Sequence, residues 1–423
     1  MGRWLYSLCL YLALPGVLAF LGYRSLREPG YRAKLRQRFG HVEPDGKNPI
    51  WVHAVSVGEV LAAVPMVRRL MAQFPEQPVL ITTMTPTGAD RVRDVFGDQV
   101  AHRYVPYDLP HMVKRFLSRV APAILVIMET EVWPNMVYGC YRRGVPVVLA
   151  NARLSENSAA GYRRVGALIR PIFRSMDWIA AQSEADARRF EHLGAWPASV
   201  TVTGSIKYDL AIGDEVQAAA AALKQRMGAQ RPVWIAASTH EGEDAPVLAA
   251  HRRLLEQHPE ALLILVPRHP ERFEAVARLV QEQGFDLARR SGGDDPAAAQ
   301  VYLADSMGEL LMLFGCADVA FIGGSLIERG GHNPLEAAAW SLPVITGRQV
   351  FNFISVFDHL AGKEAVRFVA DGDELAQALM ALLEEARVRH EVGQRARAVV
   401  DANQGAVARL VEGVSGRMPQ RLS

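Results

Sequence analysis

Cysteine is scarce in this chain of 423 residues: Cys9, Cys140 and Cys316 stand far apart, and no Cys pair or Cys/His pair has the short spacing of a zinc site. The three thiols fit a reducing, cytosolic compartment, as small apolar side chains without chemistry of their own. Net charge is small too, +2, with no domain-wide run of Lys and Arg, which argues against a nucleic-acid partner. An anionic ligand must then be met by local groups. Charge is missing altogether from residues 4–23, a run long enough to cross a hydrocarbon core.

A secretory signal would be shorter, begin with more basic charge and end in a small-residue cleavage site. Here only Arg3 precedes the run, so an uncleaved membrane anchor over residues 1–23 fits better. Pro15-Gly16 interrupts it, which leaves a helix lying in the membrane interface, or a hairpin buried against the protein, open beside a span. Arg24, Arg27, Arg32, Lys34, Arg36 and Arg38 follow, against the single acid Glu28. The positive-inside bias puts everything downstream in the cytoplasm, and the basic flank suits inner-membrane lipid phosphates.

Beyond the flank, short apolar runs alternate with amphipathic helices, the pattern of parallel sheets covered on both faces, so the fold class is α/β. Strands are expected at 50–55, 79–83, 124–128 and 145–150, with helical spacing at Val60, Leu61, Val64, Val67 and Leu70. A second set is expected at 233–237, 262–266, 301–303, 319–322 and 344–346. The boundary falls near residue 210, giving domains 24–210 and 211–423. The Ala-, Glu- and Arg-rich stretch 374–413 should be helical, and its last helix could pack back on the first domain. Each half opens alike, with His53-Ala54-Val55-Ser56-Val57-Gly58-Glu59 and Ala237-Ser238-Thr239-His240-Glu241-Gly242-Glu243. Doubly wound halves bind ligands at the carboxyl ends of their strands, so two facing halves would make one cleft suited to a two-substrate transferase.

Several clusters at expected strand ends could carry chemistry. Glu59 sits in the first turn of a helix just past a strand, where a base belongs, although an acid there also complements the helix dipole. In Met128-Glu129-Thr130-Glu131-Val132-Trp133-Pro134-Asn135, helix capping accounts for Glu131 or Asn135 but not for Glu129, directly on the strand terminus. Lys207, in Thr203-Gly204-Ser205-Ile206-Lys207, either reaches a phosphate or is an ordinary surface lysine. Arg268-His269 is framed by Pro267 and Pro270, which fix the backbone, and Arg268 can fork onto phosphate or carboxylate oxygens. Met307-Gly308-Glu309 precedes a helix, and Gly323-Gly324-Ser325 follows a strand, where backbone N–H groups can hold a phosphate. In Asn333-Pro334-Leu335-Glu336, Pro334 takes the first helical position, Asn333 can cap, and Glu336 can accept from a ribose diol.

In combination and in order, Ser56-Val57-Gly58-Glu59, Glu129-Thr130-Glu131-Val132-Trp133-Pro134-Asn135, Asn151-Ala152-Arg153-Leu154-Ser155, Pro267-Arg268-His269-Pro270-Glu271-Arg272-Phe273 and Gly331-His332-Asn333-Pro334-Leu335-Glu336 resemble the motifs of the 3-deoxy-D-manno-octulosonic acid (Kdo) transferase family of lipopolysaccharide synthesis. The resemblance runs along nearly the whole chain. It implies a GT-B fold of two Rossmann-like domains, the acceptor (a lipid A precursor, lipid IVA) on the first and the donor CMP-Kdo on the second. It also implies a tether at the cytoplasmic face of the bacterial inner membrane, and no metal or other cofactor. By the same resemblance Glu59 is the base, Glu129 and Lys207 stabilise the transition state, and CMP meets Pro267, Arg268, Met307, Gly308, Glu309, Asn333, Pro334, Leu335 and Glu336. The implied reaction is an inverting displacement at the anomeric carbon. Phosphate charge then falls to Arg268, Lys207 and helix N-termini, and the expectation is that the chain has no Asp-x-Asp triad to hold a divalent cation. The acceptor's phosphates are expected on the basic flank and on Arg68 and Arg69. Two other readings differ in class: an enzyme of this architecture acting on a UDP-sugar, and a membrane-tethered scaffold without turnover, which would have no use for Glu59 and Glu129.

Overall fold

The computed structural model describes residues 2–32, 34–43 and 48–419, and the chain divides into two compact units, Met1–Asp209 with Gly405–Ser423, and Leu210–Gln404. The first opens with helix α1 (Gly2–Arg27) and continues β1 (Ile50–His53), α2 (Val57–Gln73), β2 (Val79–Thr83), α3 (Pro86–Phe96), β3 (Ala101–Tyr104), α4 (Pro110–Val120) and β4 (Ile124–Met128). It goes on through α5 (Pro134–Tyr141), β5 (Val147–Ala152), α6 (Glu156–Arg164), α7 (Gly166–Arg174), β6 (Trp178–Ala181), α8 (Glu184–His192) and β7 (Val200–Val202). The second runs α9 (Asp214–Met227), β8 (Val233–Thr239), α10 (Asp244–Leu255), β9 (Leu262–Pro267), α11 (Phe273–Glu282), β10 (Leu287–Arg289), β11 (Val301–Leu303), α12 (Leu310–Phe314) and β12 (Val319–Ile322). It closes with α13 (Leu335–Ala339), β13 (Val344–Gly347), α14 (Ile354–Ala361), β14 (Val366–Val369), α15 (Gly372–Glu384) and α16 (Ala386–Asn403), before α17 (Ala406–Ser415) returns to the first unit.

Each unit holds a parallel seven-stranded sheet, in the orders β3-β2-β1-β4-β5-β6-β7 and β10-β11-β9-β8-β12-β13-β14. Alternate side chains leave a strand on opposite faces, so an apolar run feeds two cores at once. In the first unit Trp51, Leu80, Leu125, Ile127 and Leu149 pack with Phe116 of α4, Val137 of α5 and Phe173 of α7. Ile50, Val52, Ile81, Val126 and Val148 pack on the other face with Val67 and Leu70 of α2 and with Val407, Leu410 and Val414 of α17. Burying each such side chain contributes roughly 1.5–3 kcal/mol relative to exposure.

All interior strands but β6 stand where apolar runs predicted them, some with shifted ends: β1 stops at His53 rather than residue 55, and β5 covers Val147–Ala152 rather than 145–150. Five strands went unexpected, β3, β6, β7, β10 and β14. On α2 the buried stripe is Val60, Ala63, Met66, Val67 and Leu70, while Leu61, expected inside, is exposed.

The apolar N-terminal segment is a single helix, Pro15 included, long and apolar enough by length and composition to cross a membrane. Its first three turns are tied to the first unit by polar contacts. Arg3 donates to Asn135 and lies over the Tyr138 ring, the Tyr6 hydroxyl donates to Asp108 (3.0 Å), Ser7 donates to Asn135, and Tyr11 bonds His111. The opposite side of the same turns presents Trp4, Leu5, Leu8 and Leu12 to solvent. The basic flank loses one member: Arg38 is buried, donates to the Met84 carbonyl and lies over Tyr104, so it serves the fold rather than a lipid phosphate. Arg68 and Arg69 are exposed on α2, two to three turns beyond Glu59.

The seat of α17 offers a direct check. A Cβ added at Gly413 would lie 2.1 Å from the ring of Trp178, the first residue of β6. Gly413→Ala is expected to lower stability by about 1–3 kcal/mol through overpacking, despite its better helix propensity, as measured by denaturant unfolding.

Candidate active site

In the first sheet the connections reverse direction between β1 and β4, which is where doubly wound sheets open a crevice at their strand ends. Glu59 enters this point from the first turn of α2. Ser56 caps the helix: its hydroxyl accepts from the Glu59 N–H and donates to Glu59 Oε1 (2.9 Å), while Glu59 Oε2 accepts from the Val55 N–H (2.8 Å). This is a variant of the capping box, in which the acid folds back one residue past the cap, onto Val55. Burial pushes the Glu59 carboxyl up to about 7; the Val55 and Ser56 hydrogen bonds pull it down, and the Glu131 and Glu129 carboxylates push it up. A carboxylate there takes a proton near neutral pH, as a general base must.

Glu129 follows β4 directly, as predicted, and its backbone is left-handed (φ 57°), a conformation a non-glycine residue holds only when its surroundings impose it. Its N–H is fixed by the Ala150 carbonyl (2.9 Å). Glu131 and Asn135 are not the helix caps their positions suggested. Glu131 is half-buried and accepts from the Trp133 indole (3.1 Å), with burial first and Glu129 second raising its carboxyl. Asp108 instead caps α5, accepting from the Asn135 and Met136 N–H groups, and burial pushes its carboxyl up to about 7 against those bonds. Asn135 is buried and holds α1.

Lys207 lies in a single 3-10 turn, Ile206–Tyr208, and is half-buried, unlike an ordinary surface lysine. Burial lowers its pKa, Glu129 raises it and Arg153 lowers it, so ammonium and carboxylate sit within electrostatic reach. The turn is held by Asn151, another left-handed residue (φ 53°) on β5, whose Oδ1 accepts from the Ile206 N–H. Glu59, Glu129, Glu131 and Lys207 thus form one cluster, with Asn151 positioning the lysine. Asn151 and Glu131 were missed as members; a buried amide inside an apolar strand was the available signal for the first.

The second unit repeats the scheme with a different outcome. Glu243, the counterpart of Glu59, is fully buried and accepts from the backbone N–H groups of His240, Gly324, Ser325 and Leu326 at 3.0, 2.6, 3.0 and 3.0 Å. The Gly323-Gly324-Ser325 turn read as a phosphate cradle is therefore filled by the protein's own carboxylate. Gly324 adopts φ +70°, and a Cβ there would meet the His332 ring.

Above this plug His240 and His332 stack in parallel, their Nε2 atoms 2.8 Å apart, so one donates and the other accepts. Burial pushes His332 down to about 4, with Arg268, His240 and His269 adding to it. His240 is lowered by burial against the pull of Glu243, and His269 meets it edge-on. Arg268, exposed at the end of β9, makes no ion pair among the described residues, and its charge also reaches Glu336, whose carboxyl burial raises. Asn333 Oδ1 accepts from the Leu335 N–H (3.2 Å), and Pro334 is the cap residue of α13 rather than its first residue. Pro267, Pro334 and Leu335 are buried, which leaves Arg268, Asn333 and Glu336 as the reachable side chains of those two motifs. Met307 is exposed beside Gly308, while Glu309 pairs with Arg290 (2.6 Å) and accepts from Ser306. An Asp-x-Asp sequence does occur, Asp371-Gly372-Asp373, but Asp371 caps α15 and Asp373 pairs with Arg253. Among the described residues no group of three or more His, Cys, Asp or Glu could hold a metal ion.

Residues 33–210, which carry the Glu59 cluster, match the family model described as 3-deoxy-D-manno-octulosonic-acid transferase (kdotransferase). A 3-deoxy-D-manno-octulosonic acid transferase of Haemophilus influenzae is 43% identical, over 97% of this chain and 98% of its own. This chain belongs to the Kdo transferase family. A Bordetella pertussis protein of the same name is 36% identical over 97% of this chain and 98% of its own. Among solved structures, UDP-GlcNAc 2-epimerase from Neisseria meningitidis covers 87% of this chain and 100% of its own with a TM-score of 0.59 at 13% identity, a likeness of fold alone. The relatives make this Kdo transferase a glycosyltransferase, and the two parallel sheets and such neighbours give it a GT-B fold.

The buried carboxylate of the second unit is a structural residue by this geometry. Glu243→Ala orphans four backbone N–H groups, each costing about 1–3 kcal/mol, and is expected to lower stability by more than about 3 kcal/mol in denaturant unfolding.

Proposed function

We propose that this Kdo transferase moves Kdo from CMP-Kdo to a lipid A precursor, lipid IVA, by an inverting displacement in which Glu59 is the general base. The observation that carries the reading is the placement of a near-neutral carboxyl, Glu59, at the β1/β4 switch point beside the oppositely charged Glu129 and Lys207. Glu59 takes the proton of an acceptor sugar hydroxyl as its oxygen attacks the anomeric carbon, and CMP departs from the opposite face. The anomeric carbon turns cationic on the way, which favours a nearby carboxylate, Glu129, while the departing phosphate gains charge, which favours Lys207. The first unit then serves the acceptor and the second the donor, with Arg268 on the phosphate and Glu336 on the ribose.

We place the enzyme at the cytoplasmic face of the inner membrane, held by α1. The polar ties of its first three turns and their exposed Trp4, Leu5, Leu8 and Leu12 favour a helix resting in the interface over a free span. The scheme uses no metal or cofactor. A UDP-sugar donor has only fold likeness at 13% identity behind it, which is no argument for a ligand.

Radiolabel transfer from freshly made CMP-Kdo to a tetra-acylated lipid A precursor in detergent with EDTA tests this. Wild type is expected to transfer, and Glu59→Ala to lose roughly 10²–10⁴-fold. Because only the ionised carboxylate accepts a proton, wild-type kcat/KM should rise with pH through about 7. Undiminished transfer by Glu59→Ala would remove the base, and no transfer by folded wild type would favour a different donor.

A further inference from the structure

The first unit carries a second concave site, a groove of about 940 Å³ bounded by the start of α1, the end of α5, and α6 with α7. Its α1 wall is close: a Cβ at Gly2 would lie 2.9 Å from the Leu168 backbone on α7. Arg163 and Arg164 from the last turn of α6, and Arg170 and Arg174 one turn apart on α7, line it, and all four are exposed. None of the four makes an ion pair among the described residues, and no Asp or Glu is among the lining side chains. One basic residue at a helix end complements the dipole; four cations around one cavity repel one another unless an anion sits among them.

Aromatic side chains frame the arginines. Trp4 at the start of α1 is 77% exposed, Tyr141 at the end of α5 is 58% exposed, and the Arg174 guanidinium lies over the exposed Trp196 ring at 5.0 Å. Guanidinium forks match phosphate oxygens, and Trp and Tyr settle where headgroups meet acyl chains. Arg3, which also lines the groove, is already spent on Asn135 and Tyr138.

We propose that this groove binds the phosphate of an anionic bilayer phospholipid and so fixes how the first unit sits on the membrane. The proposal rests on reading α1 as membrane-associated. Glu59, Glu129 and Lys207 do not line the groove, so it is a site apart from the chemistry.

The test is co-sedimentation of the full chain with vesicles of phosphatidylcholine alone and of phosphatidylcholine with phosphatidylglycerol. Wild type should bind both through the apolar side of α1 and prefer the anionic vesicles about tenfold or more, since each basic group near such a surface adds attraction. The variant R163Q/R164Q/R170Q/R174Q should lose that preference and keep its neutral binding. A variant with the same charge change on exposed positions of the second unit, R226Q/R278Q/R348Q/R387Q, should keep the preference. The double variant R170Q/R174Q carries the test if the fourfold one unfolds. Retained preference in the groove variants overturns the proposal, as does equal loss in the second-unit variant. Loss of transfer to an acceptor dissolved in neutral detergent would assign the groove to the acceptor instead and overturn it too. Wild type that ignores both vesicles overturns the membrane reading beneath it, while leaving the transferase reading to its own assay.

Discussion

A carboxylate that must fold back onto the loop in front of its own helix is the constraint on which both units turn. The strand-loop-helix opening is alike in each: an apolar strand ends, the loop carries unpaired N–H groups, and an acid at the helix start, in the first turn of α2 or at the cap of α10, meets them. In the first unit Glu59 satisfies Val55 and Ser56 and stays half-buried, so burial raises its carboxyl while part of it remains exposed. In the second, Glu243 goes wholly inside and binds four N–H groups of two loops, and nothing reactive is left of it. One sequence pattern thus gives a carboxyl near neutrality in one place and a structural plug in the other, and the difference is the number of donors that converge on the carboxylate.

The left-handed residues extend this logic to the rest of the site. Glu129, Asn151 and Ser238 each hold positive φ at or near a strand's carboxyl end, and the pairings of β5 with β6 and of β8 with β9 shift register at the last two. Such irregularities redirect the chain where a sheet would otherwise continue, so side chains that would have followed the strand's alternation are aimed elsewhere. Asn151 shows the effect: its amide leaves the strand to hold the turn that carries Lys207.

Interior strands were legible because a strand buried on both faces is written as an unbroken apolar run, as in Ile124–Met128. Four of the five unexpected strands, β3, β7, β10 and β14, are the four sheet edges, where one side meets solvent and polar residues such as His102, Arg103 and Arg367 interrupt the run. The fifth, β6, is buried but short, and its Trp178-Ile179-Ala180-Ala181 comes only three residues after α7. At the candidate site, Glu59, Glu129 and Lys207 stood out because strand ends mark crevices in this fold class, and the structure brings the three within electrostatic reach of one another; the family resemblance is borne out by the relatives. Asp108 and the stacked His240 and His332 acquire their roles from residues distant in sequence, and Asn151, though marked as an amide inside an apolar strand, from the distant turn it holds; Glu131 takes its place from its neighbours Trp133 and Glu129, in a loop whose path no local pattern dictated. Arg38 misled for the converse reason: a run of basic residues beside an apolar helix looks like one surface, yet one of its members turns inward onto Tyr104.

The central claim is that the fold, rather than the substrate, sets Glu59 near neutrality. Carbon-13 titration of the glutamate side-chain carboxyls in the ligand-free enzyme, with the Glu59 resonance assigned from the Glu59→Gln spectrum, tests it most directly. The account predicts a midpoint close to 7; a midpoint in the ordinary glutamate range of about 4 would contradict it.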